Sequence, residues 1–486
     1  MSKDIQKLEP QLLWECFYQL TQVPRPSKKE EKIRSFMMNF GEKLGLETEK
    51  DKAGNILIRK PATPGMENRK TVVLQGHLDM VPQANSSSVH DFENDPIDVY
   101  IDGEWVKANG TTLGADNGIG VAAAMALLAS TDLEHGPVEA LFTADEETGM
   151  TGAFGIRTGW LKGGILLNLD SEEEGELCVG CAGGIDVNIN FTYTEVNVPE
   201  GVKAFYVALT GLKGGHSGID IHKGKGNANK LMFRFLKKAV RSFGLRLASI
   251  EGGNLRNAIP REAFATVVVP EANVEDVKEL AQKYESVFKD ELSMVEPDIQ
   301  FVMGETEMPG SLIEEMVQDD LINGIYGCPN GVIRMSDTMP GVTETSNNLA
   351  SVHSENGEIY VNCLVRSSVD SAKEDVCEQI ESVFRLADAE VKLSGAYPGW
   401  KPNPESEILK LMKKVYNQNF GRVPEVKAIH AGLECGLLGA VYPNWDMISF
   451  GPTIRYPHSP DEQVEIASVK KFWEFLLAVL KEIPEI

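Results

Sequence analysis

The stretch Thr71-Val-Val-Leu-Gln-Gly-His77-Leu-Asp79 decides how this chain is read. An apolar run of strand length breaks at a glycine and delivers a histidine and an aspartate, two positions apart, at its far end. On extended backbone such side chains point the same way, so the carboxylate is placed to hold the imidazole in one tautomer. Ligands of open α/β sheets gather where strands end. Runs at 55–59, 138–142 and 164–168 have the same short apolar form, and a helical run at 117–130 lies among them. Strands alternating with helices predict a mainly parallel sheet sandwiched by helices, an α/β fold.

Working outward, amphipathic helices are expected at 8–22 and 28–44, the second with Ser27 before a charged first turn. From about 186 the texture changes. Alternating strands are expected at 186–191, 205–209, 263–269 and 357–365, with helices at 226–243, 273–292 and 371–387. This is an α+β pattern with an antiparallel sheet. After Gly395-Ala-Tyr-Pro-Gly-Trp400 the first texture returns, with a helix at 405–419, a strand at 446–449 and a helix at 466–481. The expected organisation is a catalytic domain formed by 1–186 and 399–486, interrupted by an inserted domain at 187–398.

Composition removes several function classes. The chain has 486 residues and a formal net charge of −25, which disfavours nucleic acid and anionic membrane surfaces as partners. The first residues, MSKDIQKLEPQLLWECF, mix charges of both signs and do not form a secretory signal. The apolar run 121–129 is far short of the ~18 residues a membrane span needs. Seven cysteines suit reduced thiols and a cytoplasmic setting. The lone Cys178-Val-Gly-Cys181 pair reads as two buried, inert thiols.

Four more segments carry chemistry. In Thr112-Leu-Gly-Ala-Asp116-Asn-Gly-Ile-Gly120 the aspartate is either a helix N-cap or the centre of a close backbone approach to a site. The glycine spacing is not that of a dinucleotide loop. Asp145-Glu146-Glu147 follows the 138–142 strand, and adjacent carboxylates can divide labour, one ligating a metal while the other moves a proton. Asp170 closes the 164–168 strand, with Glu172–Glu174 behind it read as solvent-facing. His458 stands between prolines in a Gly-Pro-rich loop. Two histidines and three carboxylates are the right count for two metals that share one bridging carboxylate. Mixed N/O donors suit Zn²⁺, Mn²⁺ or Co²⁺ better than Ca²⁺ or Mg²⁺. Metals paired about 3.5–4 Å apart are a hydrolytic device.

The segments GHLDM, TTLGADNGIG, ADEETGM, NLDSEEEGE, GGHSG and GPTIRYPHSPDE resemble those of the co-catalytic zinc aminopeptidase, carboxypeptidase and deacylase superfamily. Within it the chain is most similar to the bacterial aminoacyl-histidine dipeptidases, along essentially its whole length, through NILIRKPATPGMENRK, GGNLRNAIPREAFAT, GAYPGW and HAGLECGL as well. The resemblance implies that His77, Asp116 and Asp170 hold one metal, and Asp116, Glu147 and His458 the other. It implies that Asp79 orients His77, and that Glu146 is the general base, deprotonating a bridging water and then protonating the leaving amine. A non-proline cis peptide is implied after Asp116.

The inserted domain would be a lid in which His216 donates to the scissile carbonyl oxygen, while Asn257 and Arg366 bind the substrate's terminal carboxylate. Glu434, in a segment that departs from the Gly-Gly-Thr-Asp run common in relatives, would bind the free α-amine. The implied enzyme is a cytoplasmic homodimer with two divalent ions, zinc first, with Mn²⁺ and Co²⁺ as alternatives. It would cleave unblocked dipeptides, Xaa-His such as carnosine among them. An aminoacylase or deacetylase on the same metals is the rival reading. A non-catalytic metal or peptide binder conflicts with the presence of all seven residues from His77 to His458. His90, His135, His222 and His353 are read as structural or surface residues.

Overall fold

The computed structural model describes residues 2–486. They form two compact units. The first comprises residues up to 180, 402–428 and 433–486, and the second 181–401 and 429–432.

The first unit is built on an eight-stranded sheet. Its strands are β1 (Glu47–Lys50), β2 (Ile56–Lys60), β3 (Val72–His77), β4 (Val138–Thr143), β5 (Ile165–Asn168), β6 (Glu176–Cys181), β7 (Glu425–Ile429) and β8 (Asp446–Ser449). Their spatial order is β1-β2-β4-β3-β5-β8-β6-β7. The four central strands, β4-β3-β5-β8, pair in parallel. Antiparallel pairings flank them, β1 with β2, β2 with β4 and β8 with β6. Every residue of β3, β4 and β5 is buried, as expected of strands covered on both faces. Helices Gln11–Thr21, Glu31–Lys43, Ala115–Ala129, Glu407–Phe420 and Ile466–Glu482 each bury apolar residues in this unit.

Parallel pairing fixes where strands end together. His77 lies opposite Thr143 in the β3–β4 register, and Gln75 opposite Asn168 in the β3–β5 register. The residues just beyond these ends therefore share one edge of the sheet. The helix Ala115–Ala129 packs close because it is built of small residues. A Cβ on its Gly120 would lie 2.2 Å from the carbonyl oxygen of Leu169, so no side chain fits there. A small sheet of Val99–Asp102, Trp105–Ala108, Gln463–Glu465 and Ile454–Arg455 frames the loop that carries His458.

Two local expectations are corrected. The helix expected from 28 begins at Glu31, with Glu30 at its N-cap; the Ser27 hydroxyl before it donates to Asp79 Oδ2 at 2.8 Å. The Glu172–Glu174 run is half-buried and paired, not free in solvent. Glu174 takes hydrogen bonds from the Tyr416 hydroxyl and Arg422, Glu173 pairs with Arg455, and burial pushes Glu172 up to about 8. Cationic and hydroxyl partners from elsewhere in the unit cover carboxylates that look free in sequence. Of the paired thiols, Cys181 is buried and Cys178 half-buried.

The second unit holds a nine-stranded sheet and the helices Ala228–Phe243, Val274–Glu291, Glu315–Gly327 and Asp370–Leu386, which share one apolar core. Its strand Gly183–Thr192 begins before the expected junction at 187. It belongs to this unit because it lies between strands Glu358–Ser367 and Glu390–Tyr397. Among the described residues, no helix is long and apolar enough to cross a membrane.

Candidate active site

His77, the last residue of β3, is buried. Its Nε2 lies 3.0 Å from Asp116 Oδ1 and 3.4 Å from Asp170 Oδ1. The other oxygen of Asp116, Oδ2, lies 3.1 Å from His458 Nε2, which is 3.0 Å from Glu147 Oε2. Two three-residue donor groups result, His77/Asp116/Asp170 and Asp116/Glu147/His458, with Asp116 in both. Glu146 joins a third group with His77 and Glu147.

Local backbone accounts for each placement. Asp145 follows β4 in the left-handed region at φ 54°, a conformation aspartate tolerates better than most residues. That turn points the N–H groups of Glu146 and Glu147 at Asp79, which accepts them at 3.0 and 3.2 Å. Asp79 also lies 3.4 Å from His77 Nδ1 through its carboxylate. Asp116 is not a helix cap. The N-cap position is Gly114, at φ 70°, and the backbone at Asp116 and Asn117 is non-helical with a cis peptide between them. His458 is in the left-handed region at φ 60°, in the loop between Ile454–Arg455 and Gln463–Glu465.

Two residues that the sequence did not single out belong to this construction. Buried Arg25 donates from Nη1 to the carbonyl oxygens of Leu78 and Asp79, both at 3.0 Å, and from Nη2 to that of Gly114. Buried Glu462 accepts the backbone N–H groups of Leu113, Gly114, Ala115 and Asp116 at 2.8, 2.9, 2.8 and 3.2 Å. Their signals in sequence are slight: an arginine between two prolines, and a glutamate four residues after His458.

With this geometry in view, the comparisons with known proteins are specific. The family model for Peptidase family M20/M25/M40 matches residues 73–482. The cytosol non-specific dipeptidase of Escherichia coli K12 is 49% identical over 481 residues, 99% of each chain. The crystal structure of aminoacylhistidine dipeptidase from Vibrio alginolyticus superposes over 100% of both chains with a TM-score of 0.96 at 50% identity. An aminopeptidase from Bacillus cereus shares the fold, at a TM-score of 0.58 and 16% identity over 98% of this chain. The chain belongs to peptidase family M20/M25/M40.

An M20 peptidase works with divalent metal ions, and the donors fit them. Asp170 Oδ1 and Glu147 Oε1 are buried without a hydrogen-bond partner, a costly state for a carboxylate oxygen unless a cation meets it. Charge points the same way. Burial pushes Asp170 up to about 6, against the pull of His77, and Asp116 and Glu147 push it further. Burial likewise raises Glu146, opposed by His77 and reinforced by Asp170, Glu434 and Glu147. The bonds to Asp116 and Glu147 hold His458 up at about 11. A site this rich in carboxylate and imidazole takes up divalent cations as its imidazoles release protons.

Asp79 behaves differently. Burial opposes its charge, but the bonds from His77, Ser27 and the Glu146 backbone outweigh that and hold it down at about 2. It is a fixed anion that orients its neighbours.

Glu434, at the start of the helix Glu434–Val441, is buried at the same sheet edge. Its Oε2 accepts from Gln75 Nε2 and Thr143 Oγ1, both at 2.6 Å, while Oε1 is unpartnered. Burial pushes it up to about 7.

In the second unit of this M20 peptidase, His216, Asn257 and Arg366 lie together. His216 pairs with Ala258 across a two-residue ladder, and Ser217 N–H donates to the Asn257 carbonyl at 2.8 Å. Arg366 donates to Ser217 Oγ at 3.3 Å and to the Tyr397 hydroxyl at 3.0 Å. His216 Nδ1 accepts the N–H groups of Gly218 and Ile219, each at 3.1 Å, so the ring proton sits on Nε2. Burial, helped by Arg366 and opposed by Asp220, lowers its pKa and keeps it neutral. His430, whose Nε2 is 2.7 Å from Ser346 Oγ, belongs to the same unit.

Proposed function

We propose that this M20 peptidase is a di-metal dipeptidase of unblocked dipeptides, with Xaa-His peptides such as carnosine among its substrates. The observation that carries this reading is the pair of donor groups sharing Asp116, with the Glu146 carboxylate beside them. When bound, two divalent ions acidify water and polarise the scissile carbonyl. Glu146, whose pKa burial raises, would as the carboxylate take a proton from the attacking water and, once protonated, hand it to the leaving amine. Asp79 keeps His77 in the tautomer that presents Nε2, and holds the N–H groups of Glu146 and Glu147. The two oxygens of Asp116 serve the two donor groups at once.

The remaining roles follow from chemical type. The second unit, residues 181–401 with 429–432, acts as a lid domain. His216, with its proton on Nε2, donates to the scissile carbonyl oxygen. Arg366 offers a planar fork and Asn257 an amide to the terminal carboxylate. Glu434 takes the α-ammonium with its unpartnered oxygen. Zinc is the resident metal, with Mn²⁺ or Co²⁺ able to replace it, since mixed imidazole and carboxylate donors suit all three. The homodimer is carried over from the family resemblance, and the cytoplasmic setting also has support in the name of the Escherichia coli relative.

Dialysis against a chelator, then re-addition of Zn²⁺, Mn²⁺ or Co²⁺, tests the reading with carnosine, other dipeptides and an N-acetyl amino acid as substrates. Restored cleavage of the free-amine dipeptides, with little of the acetylated compound, is expected. Preference for the N-acetyl compound would replace the dipeptidase with an aminoacylase.

A further inference from the structure

The loop 113–116 and the loop carrying His458 are far apart in sequence, and one side chain ties them. Glu462 lies four residues after His458, and its two carboxylate oxygens accept four consecutive backbone N–H groups, Leu113 and Gly114 on Oε2, Ala115 and Asp116 on Oε1. Successive N–H groups that converge around a left-handed residue, here Gly114 at φ 70°, form a concavity for an anion. In this chain the anion is its own. Arg25 secures the other side of the same loop through the Gly114 carbonyl.

Neither tied segment is regular structure. Asp116 has non-helical backbone, and the His458 side chain is half-exposed at a positive φ. By contrast, His77 ends β3, held by its parallel neighbours, and Asp170 lies two residues past β5. The spacing between Asp116 Oδ2 and His458 Nε2, 3.1 Å, therefore depends on the tie more than the geometry around His77 does.

We propose that Glu462 is a positioning residue that sets the Asp116–His458 spacing and so holds the metal of the Asp116/Glu147/His458 group. The inference rests on the di-metal reading above. Turning the carboxylate into an amide leaves two of the four N–H groups facing a donor in place of an acceptor and lets the His458 loop drift from Asp116. The metal of that group is then lost faster than the metal of the His77 group.

The test is zinc release from the reconstituted holoenzyme to a colorimetric chelator, in wild type and Glu462→Gln, with far-UV circular dichroism as the check on folding. One of the two zinc ions should leave about tenfold or more faster in the variant, kcat should fall with KM nearly unchanged, and the other ion should leave at the wild-type rate. Where Glu462→Gln does not fold, Glu462→Asp decides, because it keeps the charge but shortens the reach; intermediate acceleration supports the tie. Two wild-type release rates in a folded variant, with only thermal stability lowered, would overturn it. A wild-type protein that binds no pair of ions would overturn the site reading and this inference together, whereas paired binding with unchanged release in the variants overturns the inference alone.

Discussion

Asp79 accepts the backbone N–H of Glu146 through Oδ1 at 3.0 Å. The carboxylate that lies against His77 Nδ1 thus also fixes the turn that carries the proposed base. Asp79→Asn keeps the shape but turns one acceptor oxygen into a donor facing groups that themselves donate. Turnover or metal affinity should fall about 10- to 100-fold, the usual effect of disturbing a partner that orients a metal-ligating histidine. Steady-state kinetics with a metal titration checks this; unchanged values of both would remove Asp79 from the site.

Glu146 raises a separate expectation, because it is proposed to move protons and not to hold metal. Glu146→Ala should still bind two zinc ions while kcat falls about a hundredfold to ten-thousandfold. Metal content by emission spectroscopy and kcat on a dipeptide are the two readouts. Turnover near wild type would end its role as base.

Much of this arrangement was legible because the donors sit in short local patterns. An apolar strand followed by His-x-Asp, by Glu-Glu or by a lone Asp marks the ends of β3, β4 and β5, and period and length were enough to find them. The parallel centre of the sheet was legible for the same reason. Arg25 and Glu462 were not, since their partners are main-chain groups of the loops at 78–79 and 113–116, and main chain leaves no mark in sequence. The long strand Thr343–Glu355 was missed on other grounds. Its polar residues Thr345, Ser346, Asn347 and Asn348 are buried, which no apolar pattern announces. Their hydroxyls meet the Ser367 hydroxyl and His430, and the amide nitrogens of Asn347 and Asn348 donate to the carbonyls of Pro329, Arg256 and Ala258.

Glu434 separates the dipeptidase from its rival. A buried carboxylate with one unpartnered oxygen suits an ammonium and repels an acylated amine's carbonyl. Glu434→Gln keeps the size and removes the charge. A charge-assisted hydrogen bond is worth about 1.5–3 kcal/mol, so kcat/KM for free dipeptides should drop about 10- to 100-fold. Activity on an N-acetyl amino acid should not drop in parallel. Equal losses on both substrates, or none on either, would contradict the assignment.

His430 gives the second unit a pH dependence whose sign is set by burial. Burial, with Arg366, His222 and His216 nearby, holds its imidazole down at about 3, against about 6.5 in an unfolded chain. Above the unfolded value both states are neutral and the group contributes no pH dependence. Below it the unfolded chain gains a proton that the folded chain refuses, and stability falls as the pH falls, down to the folded value. From about pH 6.5 to 5.5 the loss from this one group is about 1 kcal/mol. His430→Gln removes the titration but keeps a side chain able to bond Ser346. Urea unfolding of the full chain at both pH values should show a shallower acid loss in the variant than in wild type, by about that amount. Parallel losses in the two proteins would mean that His430 is not held neutral in the folded state.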